Sequence, residues 1–211
     1  MQYYGTVITS NNSKTSNTVE TDSSSDASSI DSIGSSQMMG LAIFQEDKLV
    51  GELTARETLC HLIIQNKFES CNITIPNPED KSASIDLYVY NQSKPKITVK
   101  LVNGTPLISI NINLEAKILS VDDTSDYMTE EKLAEVSTSA SQYIENMISK
   151  YLYKTSKELH ADIDGFGKYA LSIFTTTTEF DSYNWLDNYQ NAFFDVNVKT
   201  KVQSAFLLSG K

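Results

Sequence analysis

The final third of the chain constrains the fold most. Phe194, Val196, Val198, Val202, Phe206 and Leu208 share one parity, while Asp195, Asn197, Lys199, Lys201 and Gln203 hold the other. Period-two alternation over this length specifies a half-buried strand with one wet face. A long amphipathic helix is predicted upstream, over about residues 129–160. It leads into the junction Asp162-Ile163-Asp164-Gly165-Phe166-Gly167. A chain that places so decisive a strand last must fold as one unit, because helix and sheet have no core without each other.

The rest of the chain supplies the sheet. Residues 40–44 and 48–53 read as a hairpin turning at Gln45-Glu46-Asp47. Thr54 and Glu57 form a capping box that opens a helix with Leu59, Leu62 and Ile63 facing inward, closed by Asn66-Lys67. Residues 71–76 form a short strand, ended by the turn Pro76-Asn77-Pro78-Glu79-Asp80.

A three-strand meander is expected next. Asn103-Gly104 signals a two-residue hairpin of the mirror-turn kind. It sets Val102 opposite Thr105, Val99 opposite Ile108 and Ile97 opposite Ile110, apolar on apolar, and Ile112, Leu114, Ala116 and Ile118 continue that face. Ile85, Leu87 and Val89 are expected to pair beside Leu101, Val99 and Ile97 through an odd loop such as Gln92-Ser93-Lys94, since an even loop would invert the face.

The acidic run Asp122, Asp123, Asp126, Glu130 and Glu131 suits the start of the long helix, with Thr129 as its cap. Leu133, Val136, Ala140, Ile144, Met147, Tyr151 and Leu159 form the helix's apolar stripe. A shorter helix starts near Gly165–Gly167 and includes Ala170, Leu171 and Phe174, and a further turn holds Trp185, Leu186 and Tyr189. The expected fold is α+β, a mostly antiparallel sheet with the long helix packed across it, in the order β-β-α-β-β-β-β-α-α-α-β.

Residues 10–36 differ in kind. Serine, threonine, asparagine and aspartate dominate, with Lys14 against Glu20, Asp22, Asp26 and Asp31 for a net of −3 (1 minus 4). Such a segment buries too little to offset its ordering entropy and reads as a flexible linker after a strand at residues 3–9. The expected division is residual strand plus serine-rich linker at 1–38 and a compact domain at 39–211. The whole chain carries −10, which argues against nucleic acid and against bulk attraction to an anionic membrane. No run of 18 apolar residues is present to span a bilayer. The first residues lack the basic start and apolar stretch of a signal peptide, so the chain is either cytosolic or preceded by a targeting segment.

Chemistry-bearing motifs are sparse. Cys60 and Cys71 read as separate thiols or, in an oxidising compartment, as a pair. With His61 and His160 they lack paired-ligand spacing for zinc, so His61 is placed on the first helix's polar flank and His160 near a helix end. The acidic run lacks the alternating ligands and central glycine of a calcium loop. No nucleophile elbow, phosphate-cradling loop or His-Glu-x-x-His occurs. No catalytic residue, cofactor or metal is assigned. Gly165-Phe166-Gly167 reads as a structural corner anchored by Phe166, with Asp162 and Trp185 in the same motif. Trp185, Tyr183 and Tyr189 are the residues to watch for sugar stacking.

Several of these segments together resemble a known family. Gly40-Leu41-Ala42-Ile43-Phe44, Asp47-Lys48-Leu49-Val50-Gly51 and Leu53-Thr54 match its entry hairpin and first helix cap. Glu158-Leu159-His160-Ala161-Asp162 and Gly165-Phe166-Gly167 match the end of its long helix, followed by Trp185 and the closing Phe194–Val202 strand. On these residues the chain resembles the C-terminal domain of spore germinant-receptor C subunits, the Ger(x)C lipoprotein family, over the ends of roughly 39–208. The resemblance implies an extracytoplasmic protein acting in nutrient-triggered spore germination, without catalysis. It would be held at the inner spore membrane by a lipid anchor upstream of this chain. Its partners would be membrane-embedded germinant-receptor subunits, with a small nutrient ligand as a further candidate. The alternative is an extracytoplasmic module for a small ligand or glycan, which needs a concave aromatic pocket.

Overall fold

The computed structural model describes residues 5–9, 38–45, 47–80, 82–121 and 129–203. The linker 10–36, Glu46, the acidic run's Asp122, Asp123 and Asp126, and Phe206 and Leu208 lie outside the described residues. Two sheets share one core. The smaller is antiparallel, in the order β1 (Gly5–Thr9), β2 (Met38–Gln45), β3 (Lys48–Thr54). The strand expected at residues 3–9 thus pairs along β2, with Thr6 opposite Ala42. Helix α1 (Ala55–Ile64) follows directly and carries the expected capping box between Thr54 and Glu57. Its buried side chains are Thr58, Cys60, Ile63 and Ile64, with Leu59 and Leu62 half-covered beside them.

The larger sheet is built around one strand. β7 (Thr105–Val121) runs unbroken for 17 residues. β6 (Lys96–Val102) pairs with it through the Asn-Gly turn in the expected register, Val102 on Thr105, Val99 on Ile108 and Ile97 on Ile110. Asn103 and Gly104 both take positive φ, 51° and 82°, as a mirror turn demands. The expected pairing of residues 85–89 with β6 does not form. β5 (Ser84–Asn91) pairs instead with the second half of β7, Val89 on Ala116 and Asn91 on Leu114, and β6 takes the first half starting at Asn111. Residues 92–95 therefore oppose only Ile112 and Asn113. They form a bulge in one long broken strand, and Pro95, without an N–H, cannot extend the ladder. Ile85, Leu87, Val89 and Val99 still share the core face, so the face was legible where the neighbour was not.

β4 (Ser70–Pro76) flanks β5, and β8 (Phe193–Gln203) takes the other edge of β7 in parallel, Val198 on Ile112. A parallel partner requires a crossover, which the helical stretch between them supplies. That stretch opens with α2 (Glu130–Tyr153), capped by Thr129, whose Oγ1 accepts the Lys132 N–H at 3.4 Å. β8 alternates as its sequence requires, with Val198, Thr200 and Val202 buried between exposed Asn197, Lys199 and Lys201.

Helix α2 also closes the sheet edge. Ser137 and Ser141 hydroxyl oxygens accept the Val202 and Thr200 amides at 3.0 and 2.9 Å, and Glu145 accepts the Val198 amide at 3.4 Å. Four helical residues advance about 6.0 Å and two strand residues about 6.6 Å, so side chains four apart meet amides two apart. An edge that would otherwise recruit another strand is satisfied internally.

Candidate functional site

The expected helix to residue 160 changes character after Tyr153. Residues Lys154–Glu158 form a wide π turn, with the Leu159 N–H reaching Lys154 O at 3.0 Å. This turn places both Thr155 and Ser156 fully inside. His160 then takes a left-handed φ of 50°, and Gly165 one of 71°, which folds residues 159–167 into a tight corner.

Asp162 organises that corner. Its Oδ1 accepts the Phe166 amide at 2.8 Å, and its Oδ2 accepts the Gly167 amide at 2.7 Å and the Trp185 indole N–H at 2.8 Å. Burial pushes its carboxyl above the usual range, opposed by these three hydrogen bonds. Gly167 leaves room for the indole: a Cβ there would sit 3.0 Å from Trp185 Cδ1 and Nε1. Phe166, fully buried, stacks on Tyr189 and meets Phe194 at a tilt, each at 6.2 Å between ring centres, which ties the corner to the first residues of β8. The structure thus brings together Asp162, Phe166, Gly167 and Trp185 from the motif, while Gly165 supplies the turn.

The following residues differ from expectation. α3 is only Gly167–Ala170, and the expected helix gives way to a 3₁₀ turn at Leu171–Ile173, so Phe174 lies beyond it. α4 (Thr177–Tyr183) was not anticipated. Its signal was present, since Thr176 caps it by accepting the Glu179 amide at 3.2 Å. α5 (Trp185–Tyr189) follows at once. Trp185 and Tyr189 are both buried, so the three rings form no open stacking platform.

Two residues beyond Asp162, a second carboxylate works at longer range. Asp164 Oδ1 lies 2.8 Å from His61 Nδ1, and Oδ2 accepts the Tyr151 hydroxyl at 2.9 Å. Gln65 Nε2 donates to its carbonyl at 2.6 Å. A carboxylate only accepts, so His61 carries its proton on Nδ1. His61 is therefore not on a polar flank: it turns inward from α1 and joins α1 to the corner and to α2. Burial and Asp164 push the Tyr151 hydroxyl well above its ordinary range, and burial does the same to Tyr189. Both remain neutral, and Tyr151 donates to Asp164. Among the described residues no serine, threonine or cysteine bonds to His61, and no group of three or more His, Cys, Asp or Glu side chains is placed to hold a metal ion. Cys60 and Cys71 are free thiols, pushed by burial up to about 12 and about 11.

Compared with known families, residues 39–205 match the profile described as spore germination B3/GerAC like, C-terminal. The chain belongs to this family. The crystal structure of the GerBC protein shares the fold with a TM-score of 0.67, at 18% identity, over 80% of this chain and 52% of that one. The chain thus spans about half the length of that protein. No individual curated protein sequence matches it.

In this B3/GerAC-like domain the motif residues Asp162, Phe166, Gly167 and Trp185 were legible because they lie close in sequence. Asp164, His61, Tyr151 and Gln65 were not, since their partners stand 90 to 103 residues apart for the His61 contacts. No spacing rule reaches so far. Asp164's place within Asp162-Ile163-Asp164 was the one available hint.

Proposed function

We propose that this domain is part of a non-catalytic germinant-receptor C subunit, acting in spore germination through contacts with other proteins. The observation carrying this reading is the family match over residues 39–205. The proposal includes an extracytoplasmic site at the inner spore membrane, a lipid anchor outside this chain, and membrane-embedded receptor subunits as partners. Among the described residues, no helix is long and apolar enough to cross a membrane.

The chemistry of the interior supports a non-catalytic role. Asp162 spends both oxygens on fixed N–H donors, and His61 Nδ1 faces a carboxylate and a hydroxyl already bonded to it. The aromatic rings that a glycan module would need pack against one another, Trp185 to Tyr189 at 6.1 Å and Phe180 to Trp185 at 6.4 Å.

Removal of this domain from the full-length protein, in a sporulating host without redundant receptors, tests the reading. Nutrient-triggered germination is expected to be lost. Unchanged germination contradicts the proposal. The coding sequence upstream is expected to hold a lipoprotein signal with a cysteine at its cleavage site.

A further inference from the structure

The helices cover one face of the larger sheet, and among the described residues the other stays open. Even-numbered residues of β4, β5 and β6 and odd-numbered residues of β8 and of β7 as far as Lys117 point away from the core, half-buried or exposed throughout their paired stretches. The open face carries Lys96, Lys100, Lys117, Lys199 and Lys201 against Asp86, Glu115 and Asp195, a net of +2 (5 minus 3). The described residues together carry −5 (14 minus 19), so those off this face carry −7 (−5 minus +2).

Asp86 accepts the hydroxyls of Thr74 and Ser120 at 2.6 and 2.7 Å. Glu115 accepts Tyr90 Oη–H at 2.9 Å and Gln92 Nε2–H at 3.0 Å. These two carboxylates are already engaged. Lys96, Lys100, Lys199 and Lys201 form no ion pair among the described residues. Exposed charges are felt over about 8 Å at physiological salt, while packed layers lie about 10 Å apart. A surface approaching the sheet therefore meets the lysines, with the acidic helical side largely screened.

The size also fits. Four strands at about 4.8 Å spacing span about 19 Å, and the 11 paired residues of β8 extend about 36 Å at about 3.3 Å each. That gives roughly 700 Å², close to the roughly 800 Å² per partner of a standard protein interface.

We propose that this open face is the docking surface for a partner protein whose contacting surface is predominantly acidic. The inference rests on the receptor-subunit reading and names the surface through which it acts. A protein fits better than an anionic bilayer. Asp195 stands among the lysines, where a uniformly anionic surface repels it and a protein can set a cation opposite. The amides of Asn111 and Asn197, both exposed, need directional partners that a folded surface supplies. The two tyrosines Tyr88 and Tyr90, 6.1 Å apart, add the aromatic contact that such interfaces favour.

The test places a photo-crosslinking residue at Thr98 or Asn197 on the open face, and at Asp181 on α4 as a control, in the full-length protein in sporulating cells. Protein adducts are expected from Thr98 and Asn197 and not from Asp181. They should map by mass spectrometry to a peptide rich in Asp and Glu, and be lost in the double variant Lys199→Glu, Lys201→Glu. Adducts from Asp181 alone, adducts that survive the charge reversal, or no protein adduct from either face position overturn the proposal. So does binding of the purified full-length protein to phosphatidylglycerol/phosphatidylcholine vesicles that the same reversal abolishes, which assigns the face to a membrane. Germination that is lost on domain removal but intact in the double variant refutes this surface alone. Germination unaffected by domain removal refutes the receptor reading itself.

Discussion

Asp162 and Asp164 are two residues apart, both buried, and do opposite things. Asp162 collects N–H donors from its own corner and from Trp185, all on residues within 23 positions. Asp164 reaches α1 and α2 through His61, Gln65 and Tyr151. The donors around Asp162 are two backbone amides and an indole, none of which can turn around to accept. Those around Asp164 include a hydroxyl that rotates. Equal burial therefore does not mean equal tolerance: a carboxylate facing rigid donors is the less replaceable.

This contrast sets the order of expected damage. Asp162→Ala leaves three inward-facing N–H groups without a partner and should cost about 4 kcal/mol. Urea unfolding followed by fluorescence measures it cleanly, because Trp185 is the only tryptophan in the chain. Gly167→Ala comes next. Its Cβ, 3.0 Å from the indole, should displace Trp185 from Asp162 at about 2 kcal/mol, with the emission maximum moving to the red. Asp164→Asn is the mildest of the three, at about 1 kcal/mol. The amide oxygen can stay on His61 while the amide nitrogen donates to a rotated Tyr151 hydroxyl. A loss in Asp164→Asn equal to that in Asp162→Ala would erase the distinction.

The pH dependence gives the smallest signal and carries a definite sign. Burial raises the Asp162 carboxyl above its ordinary 3.8. Between that value and its folded value the native state holds the extra proton, so this contribution is full below 3.8 and is lost as pH rises through the folded value. Glu57 runs the other way. Burial alone would raise it, but Lys154 and Thr54 hold it below 4.5, so its contribution is present above 4.5 and lost as pH falls. The wild-type urea midpoint should therefore decline relative to Asp162→Asn as pH rises from about 4. A difference that stays flat with pH, or runs the other way, contradicts a buried carboxyl with a raised titration.

The same contrast explains what the sequence could reveal. The Asn103-Gly104 register, the Thr54 and Thr129 caps and the β8 alternation are local rules, and each appears as expected. The pairing of β5 failed because face parity is a local property while neighbour choice is not. A four-residue bulge preserves the first and changes the second. The serines along α2 hid in the same way. Each also donates to the carbonyl four residues back, Ser137 to Leu133 and Ser141 to Ser137, and only the β8 amides beside them reveal that they close an edge.

Hydrogen exchange in the Asp164→Asn variant of the intact chain most directly tests whether the Asp162 corner stands by itself. The Phe166 and Gly167 amides should keep their wild-type protection while amides of the last turn of α1 exchange faster. If all of them accelerate together, the two carboxylates form a single cooperative unit and do not divide their labour.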